Sequence, residues 1–265
     1  MRAPGIVREL VRARPSQPTE ERSLSTIDVG FTAADVRAAE VIVVVDVLRA
    51  TSTTVQALAA GYERVRCCKS VDDALALRAP GRVIAGEREW KTPPGFDLGN
   101  SPGAFTAPQG AEVVLATTNG TPMMVAAAAQ SDHVLLASLL NLDAVVAALP
   151  STDVLLAGAG TNGRPALEDT YLAGRIASRL EGERTDAALM AERVAGASEP
   201  LEALAASADA AKLREAGLGD DVEWCAQESV LDSVPRVAAV EDGVGIVELT
   251  DPHGATIRSS AETTV

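Results

Sequence analysis

Three times along the chain an apolar run of strand length stops at a short polar loop, and a helix pattern follows. In the first unit, EVIVVVDVLRATSTTVQALAAG at 40–61, the run VIVVV ends on Asp46 and the helix pattern closes at Gly61. The second unit is AEVVLATTNGTPMMVAAAA at 111–129, and the third runs from DVLLAGAG through TNGRPALEDTYLAGRIASRL. Strands without polar alternation are covered on both faces, which is the pattern of a parallel sheet packed between helices. The expected fold is therefore α/β: a three-layer α/β/α arrangement with a mainly parallel or mixed sheet. Residues 1–265 would form a single domain or two closely packed lobes. In such sheets ligands bind outside the carboxyl ends of the strands, so the three polar loops are expected to converge there.

Weaker strand patterns lie between these units, in RVRCCKSV around Cys67, RVIAGE at 82–87 and HVLLASL at 133–139. The segment VPRVAAVEDGVGIVELT alternates about Asp242-Gly243 as a C-terminal β-hairpin does, and its place is expected at a sheet edge. Gly and Pro concentrate in WKTPPGFDLGNSPGAFTAPQG, 90–110, which reads either as a functional lid or binding loop or as a plain surface connection.

Charge excludes some partners. The formal net charge is −14 and no Lys/Arg cluster is visible, which argues against nucleic acid. Half of the excess lies between Glu181 and Glu223, with 11 acidic against 4 basic residues, and reads as a solvated helical surface. Cys67, Cys68 and Cys225 have no metal-ligand spacing and cannot all pair, which suits a reduced cytoplasmic setting. His133 and His253 are too few for a histidine-rich metal site. The opening MRAPGIVRELVRARP lacks the apolar run of a secretory signal, and no stretch reaches membrane-spanning length. A soluble protein without a membrane partner is expected, and its Ala-rich helices are compatible with a homodimer.

Several polar residues fall where chemistry is expected. Asp46 and Arg49 follow the first strand; together they suit a metal and an anionic ligand, or a structural ion pair. In Thr117-Thr118-Asn119-Gly120-Thr121, hydroxyls, an amide and a glycine can donate to phosphate or carboxylate oxygens, although Asn-Gly is also a common turn pair. The same choice applies to Thr161-Asn162-Gly163-Arg164, and recurrence at an equivalent place weakens the turn-only reading. Glu87 ends a short apolar strand, and Asp97 lies near Asn100 and Ser101. Glu168 and Asp169 open the third helix pattern behind the glycine-rich loop of Gly160 and Gly163. Carboxylates gathered at one sheet edge repel one another unless a cation sits among them, and Mg²⁺ suits such oxygen ligands. The alternative for Glu168-Asp169 is a favourable interaction with the helix dipole.

In order, VVDVLRATST, GERE with PGFDLGNSP, TTNGT and AGAGTNGRPALEDTYLAGRI resemble the 2-phosphosulfolactate phosphatase (ComB) family. LREAGLGDDVEWCAQESVLDSVPRV resembles its closing region, so the likeness covers most of the chain after the first forty residues. The resemblance implies a Mg²⁺-dependent α/β phosphatase that hydrolyses 2-phospho-3-sulfolactate to sulfolactate and phosphate, a step of coenzyme M biosynthesis in methanogens. Because such proteins also occur in bacteria without that coenzyme, a phosphorylated 2-hydroxy acid is the broader expected substrate.

On that basis Asp46, Arg49, Glu168 and Asp169 are expected to be catalytic. Asp46, Glu87, Asp97, Glu168 and Asp169 are the candidate Mg²⁺ ligands. Asn100, Ser101, Thr118, Asn119, Gly120, Thr121, Gly160 and Gly163 are expected to hold substrate oxygens. Whether water attacks directly or Asp46 is first phosphorylated stays open, with direct attack favoured because Leu48 stands where a DxD motif would place its second Asp. Two rivals remain: a non-catalytic sensor of a phosphorylated acid, and a nucleotide-dependent enzyme suggested by Gly158, Gly160 and Gly163 in a bare GxGxxG spacing.

Overall fold

The computed structural model describes residues 25–250. The arginine-bearing opening segment and His253 lie outside them. Ten strands form one mixed sheet among the described residues. They are β1 Thr26–Gly30, β2 Val41–Val45, β3 Arg64–Cys68, β4 Arg82–Gly86, β5 Glu112–Ala116, β6 Val134–Ala137, β7 Val154–Gly158, β8 Glu183–Arg184, β9 Pro235–Glu241 and β10 Val244–Leu249. The helices are α1 Ala50–Ala59, α2 Val71–Ala76, α3 Gly120–Ala128, α4 Leu142–Ala148, α5 Leu167–Ala177, α6 Asp186–Ala195, α7 Pro200–Ala205, α8 Ala208–Glu215 and α9 Asp220–Cys225.

The three apolar runs are β2, β5 and β7, and every residue of β2 and β7 is buried. Spatial order is β4-β5-β3-β10-β9-β6-β2-β7-β1-β8. Strands β4, β5 and β3 make one parallel block, and β6, β2, β7, β1 and β8 make another. Between the blocks lies the hairpin of β9 and β10. It pairs antiparallel with β3 on one side and, through Leu135 and Arg236, with β6 on the other. The expectation of an edge hairpin is therefore corrected. Turn chemistry does specify the hairpin, and Asp242 and Gly243 both have positive φ, but alternation along a segment does not say which distant strands it will join.

Three successive antiparallel pairings leave the two blocks running in opposite senses. Twist brings their ends back together: at about 20–25° per step, the five steps from β5 to β2 rotate strand direction by roughly 100–125°. The sheet thus folds around α1 and α3. Val44 and Leu136 from one block and Val65 and Leu115 from the other share a core with Leu58 and Met123. On the opposite face, α4 to α9 pack over β1, β2, β6 and β7. No helix among the described residues is long and apolar enough to cross a membrane.

Packing in the α5–α6 layer depends on one small residue. A Cβ added at Gly174 would lie 2.0 Å from the carbonyl oxygen of Ala191 and 2.8 Å from Cβ of Ala195. Gly174→Ala should therefore force the helices apart and cost about 1–3 kcal/mol, read as a lower denaturant midpoint. An unchanged midpoint would show that the helices separate freely.

Candidate active site

The β2–α1 loop places Asp46 with one oxygen fixed and one free. Its Oδ1 accepts the Ala50 N–H at 3.0 Å, while the Thr51 hydroxyl donates to the Asp46 carbonyl at 2.8 Å. Among the described residues no protein group donates to Oδ2, which lies beside the first residue of α3. A Cβ added at Gly120 would stand 2.6 Å from this oxygen and 2.4 Å from Cβ of Ala50. Glycine is thus what lets the β5–α3 loop of one block touch the β2–α1 loop of the other. Burial pushes the Asp46 carboxyl up to about 7, and the charges of Asp209 and Glu87 add to the shift.

Gly120→Ala should displace Asp46 by a few tenths of an ångström or more. Misplacement of a reacting group on the ångström scale costs up to about 10²-fold in rate, so a fall of about tenfold or more in kcat is expected. Wild-type kcat in this variant would show that the contact is not needed for alignment.

Arg49 is buried, and its partner is not Asp46. Its Nη1 donates to Oδ2 of Asp221 at 2.5 Å and to Oγ of Ser101 at 3.2 Å, and the Ser101 hydroxyl donates to the same Asp221 oxygen at 2.8 Å. Among the described residues no group accepts from the other guanidinium N–H groups, and the side chain lines the cleft beside Asp46.

In the β5–α3 loop, Thr118 is held by Glu87, whose Oε1 accepts from the Thr118 N–H at 3.0 Å and its hydroxyl at 2.7 Å. The other Glu87 oxygen accepts the Trp90 N–H at 3.1 Å. Thr121 is buried, and its N–H donates to the Thr117 hydroxyl at 3.2 Å, so it caps the loop internally and does not face the cleft.

The β7–α5 connection divides into two parts. Residues 161–164 form a tight turn, with Thr161 and Arg164 bonded to each other and positive φ at Asn162 and Gly163. That is the two-residue turn which Asn-Gly favours, so TNGR differs in backbone from TTNGT, where Gly120 begins a helix. Gly163 stands at the tip of this turn with open space around it. Because α5 begins only at Leu167, beyond the turn, the glycines do not open the helix as a dinucleotide site requires.

Asp169 is a clamp. Its Oδ1 accepts the Val47 N–H at 2.9 Å and its Oδ2 the Gly160 N–H at 3.0 Å, tying the ends of β2 and β7 together. Burial raises its carboxyl well above the usual range, with the charges of Glu168 and Asp46 adding to this. Glu168 is pushed up to about 8 by burial and then by Asp209, its hydrogen-bond partner. Asp209 is itself raised by burial, opposed by the bonds from Thr161 and Glu168.

These side chains border a cleft of about 260 Å³, lined by Asp46, Arg49, Glu87, Asn100, Thr117, Thr118 and Asn119 together with Arg88, Trp90, Thr161 and Asn162. Asn100 is buried, and its Oδ1 has no hydrogen-bond partner. A larger cleft of about 650 Å³ adjoins it, sharing Trp90, Thr161 and Asn162, with Glu168 and Asp209 in its wall. The loop at 90–110 therefore supplies cleft walls through Trp90 and Asn100, and it is anchored by the fully buried Phe105 against Tyr62.

Asp97 is not brought to this place. Its carboxylate accepts from Arg78 at 3.1 Å and from the Ile84 N–H at 2.8 Å, bonds that hold it below the usual carboxylate range with the Ile84 N–H foremost. The expectation that it joins the carboxylate group is corrected: it braces the loop after β4. Ser101 and Gly160 are likewise committed to Asp221 and Asp169. The acidic stretch 181–223 needs correction too, because Asp209 and Asp221 within it are buried and turn toward the site. Sequence reasoning missed both. Asp221 lies inside the closing motif LREAGLGDDVEWC, which was a usable signal; for Asp209 there was none.

Among the described residues, no three His, Cys, Asp or Glu side chains already converge as a metal-ligand set. The donor chemistry nonetheless suits a hard cation. Asp46 Oδ2 at the cleft and the buried Asn100 Oδ1 behind its wall lack a protein donor among the described residues, and Mg²⁺ characteristically takes one or two protein oxygens and completes its shell with water and substrate.

Comparison with known sequences agrees with the motif order. The family profile described as 2-phosphosulpholactate phosphatase matches residues 31–239. The chain is 44% identical over 201 residues to a Thermotoga petrophila protein named "Probable 2-phosphosulfolactate phosphatase", covering 74% of this chain and 88% of that one. Proteins of the same name from Thermus thermophilus and Deinococcus radiodurans are 43% and 40% identical, over 74% and 77% of this chain and 87% and 90% of theirs. With the profile spanning both blocks and the loops that meet at Asp46, this chain belongs to the 2-phosphosulfolactate phosphatase family.

Proposed function

We propose that the chain hydrolyses the phosphate monoester of 2-phospho-3-sulfolactate, or of a related 2-phospho-2-hydroxy acid, in a Mg²⁺-dependent reaction. The observation that carries this reading is the pairing, in one cleft, of a buried guanidinium with free N–H groups and a strand-end carboxylate with a free oxygen. The names of the relatives support the substrate class.

Arg49 would grip phosphoryl oxygens through the N–H groups not used by Asp221, with Thr118 and Asn119 lining the same cleft wall. Asp46 Oδ2 and Asn100 Oδ1 would hold the cation, which when bound supplies the positive charge that offsets the phosphoryl oxygens. Asp46 would also orient the attacking water. Asp169 and Glu87 act one step back: the first holds the Val47 end of the Asp46 loop, the second holds Thr118. The free, buried thiols of Cys67, Cys68 and Cys225 support a cytoplasmic setting.

The direct test is phosphate release from a panel of short 2-phospho acids in Mg²⁺ buffer, with 2-phosphosulfolactate and 2-phospholactate included. Turnover of one or more is expected. Tight binding without release from any of them would instead support a sensor and would sink the phosphatase reading.

A further inference from the structure

We propose that Asp221, at the start of α9, is a positioning residue that sets the direction of the Arg49 guanidinium. The inference rests on the reading above in which Arg49 grips the anion, and adds to it the part of the chain that aims the grip. Asp221 lies more than 170 positions from Arg49 in sequence yet meets it at 2.5 Å, both side chains being buried.

One guanidinium nitrogen is used in this contact, and it is the same nitrogen that reaches Ser101. Ser101 closes a triangle by donating to the same carboxylate oxygen of Asp221. A planar guanidinium fixed at one corner has its remaining N–H groups fixed in direction as well. Here that direction is the cleft, because those groups have no acceptor among the described residues and Arg49 lines its wall. Lysine could not serve in the same way, since a single ammonium cannot satisfy the triangle and also span the cleft.

Helix α9 is itself seated by further contacts. One turn beyond Asp221, the Trp224 ring lies against Gly103, where an added Cβ would come within 3.3 Å of it. Cys225 meets Ser52 in the first turn of α1. Asp221, Trp224 and Cys225 thus bridge the 101–103 loop and the helix that follows Arg49. The helix works as a strut: it locks the loop carrying Asn100 and Ser101 to the loop carrying Asp46 and Arg49.

The test uses the full chain, with inorganic phosphate as the binding probe in Mg²⁺ buffer and 2-phospholactate or 2-phosphosulfolactate for kinetics. Asp221→Asn keeps the shape and an acceptor but removes the charge that anchors the guanidinium. Phosphate Kd and KM should each rise about tenfold, the scale of a hydrogen bond to a charged group, with a smaller change in kcat. Arg49→Lys should weaken phosphate binding to a similar extent. The double variant should be little worse than either single one, since residues acting through one contact are not additive.

Ser101→Ala, which retains the ion pair, should shift Kd in the same direction by less and covers the case in which Asp221→Asn does not fold. A purely structural role would lower the thermal midpoint while leaving Kd and KM unchanged in the folded fraction, and would overturn the proposal. So would independent, multiplying effects in the double variant. If Arg49→Lys itself leaves phosphate binding intact, the reading of Arg49 as the anion grip fails, and the positioning role falls with it. Weakened binding in Arg49→Lys with wild-type binding in Asp221→Asn overturns only the positioning role.

Discussion

Phosphate release should fall to background, about 10³-fold or more, when divalent cations are removed with a chelator, and should return on adding Mg²⁺. The reason is the sign of the charge around the cleft. Asp46, Glu87 and, through Thr161, Asp209 surround the place where a phosphate dianion must sit. Against them stand Arg49, whose charge is already shared with Asp221, and Arg88, whose guanidinium donates to the carbonyls of Glu87 and Lys69. Two like charges about 4 Å apart repel by about 4 kcal/mol at an effective dielectric of 20, so an anionic ester is disfavoured without a compensating cation. Turnover that persists undiminished in chelator would mean that Arg49 and the loop N–H groups suffice, and the metal-assisted reading would be abandoned.

Asp46→Asn should lower kcat by about 10³-fold, within the range lost when a catalytic carboxylate or transition-state contact is removed. The substitution is informative because it separates chemistry from folding. An amide oxygen at the Oδ1 position still accepts the Ala50 N–H, and the side chain keeps its volume against Gly120. A buried carboxyl already pushed up to about 7 is costly to keep ionised, so its loss should leave the thermal midpoint unchanged or higher. A variant that keeps full turnover would reduce Asp46 to a loop residue. One that loses both turnover and fold would leave Asp46 as a structural group. Rapid acid quench of a single turnover distinguishes the two routes of attack: a phosphorylated Asp46 in the quenched wild-type protein would rule out direct attack by water.

The contrast with Asp169 shows why burial alone is a poor guide to role. Both carboxyls are buried at strand or helix ends and both are raised by burial. Asp46 has one oxygen free, whereas both oxygens of Asp169 take backbone N–H groups. Asp169→Asn therefore replaces one acceptor with a donor facing an N–H, which is a structural fault as well as a lost charge.

Much of this arrangement was legible in the sequence because its signals are local. VIVVV and VLLAG announce buried strands by having no polar alternation, and the rule that ligands gather beyond strand ends directs attention to Asp46, Arg49 and Glu87. What was not legible depended on pairings across the chain. An acidic residue in the first turn of a helix reads the same whether it faces water, as most of 181–223 does, or a neighbouring site, as Asp209 and Asp221 do. Likewise TTNGT and TNGR share three consecutive letters. One enters a helix at Gly120, and the other closes a turn at Asn162-Gly163; the surrounding strand and helix spacing decides between them.

The hairpin in the middle of the sheet bears on how the enzyme comes into being. Synthesis runs from the amino end, and every residue proposed here to touch substrate precedes Pro235. The strands that join the two blocks are the last described elements to leave the ribosome. Until they arrive, β3 and β6 each present an open edge of unpaired N–H and C=O groups, the kind of edge that invites pairing with another chain. The nascent protein thus carries its catalytic groups on two halves that meet only through the core around α1 and α3, and the sheet becomes continuous when the closing strands cover both edges.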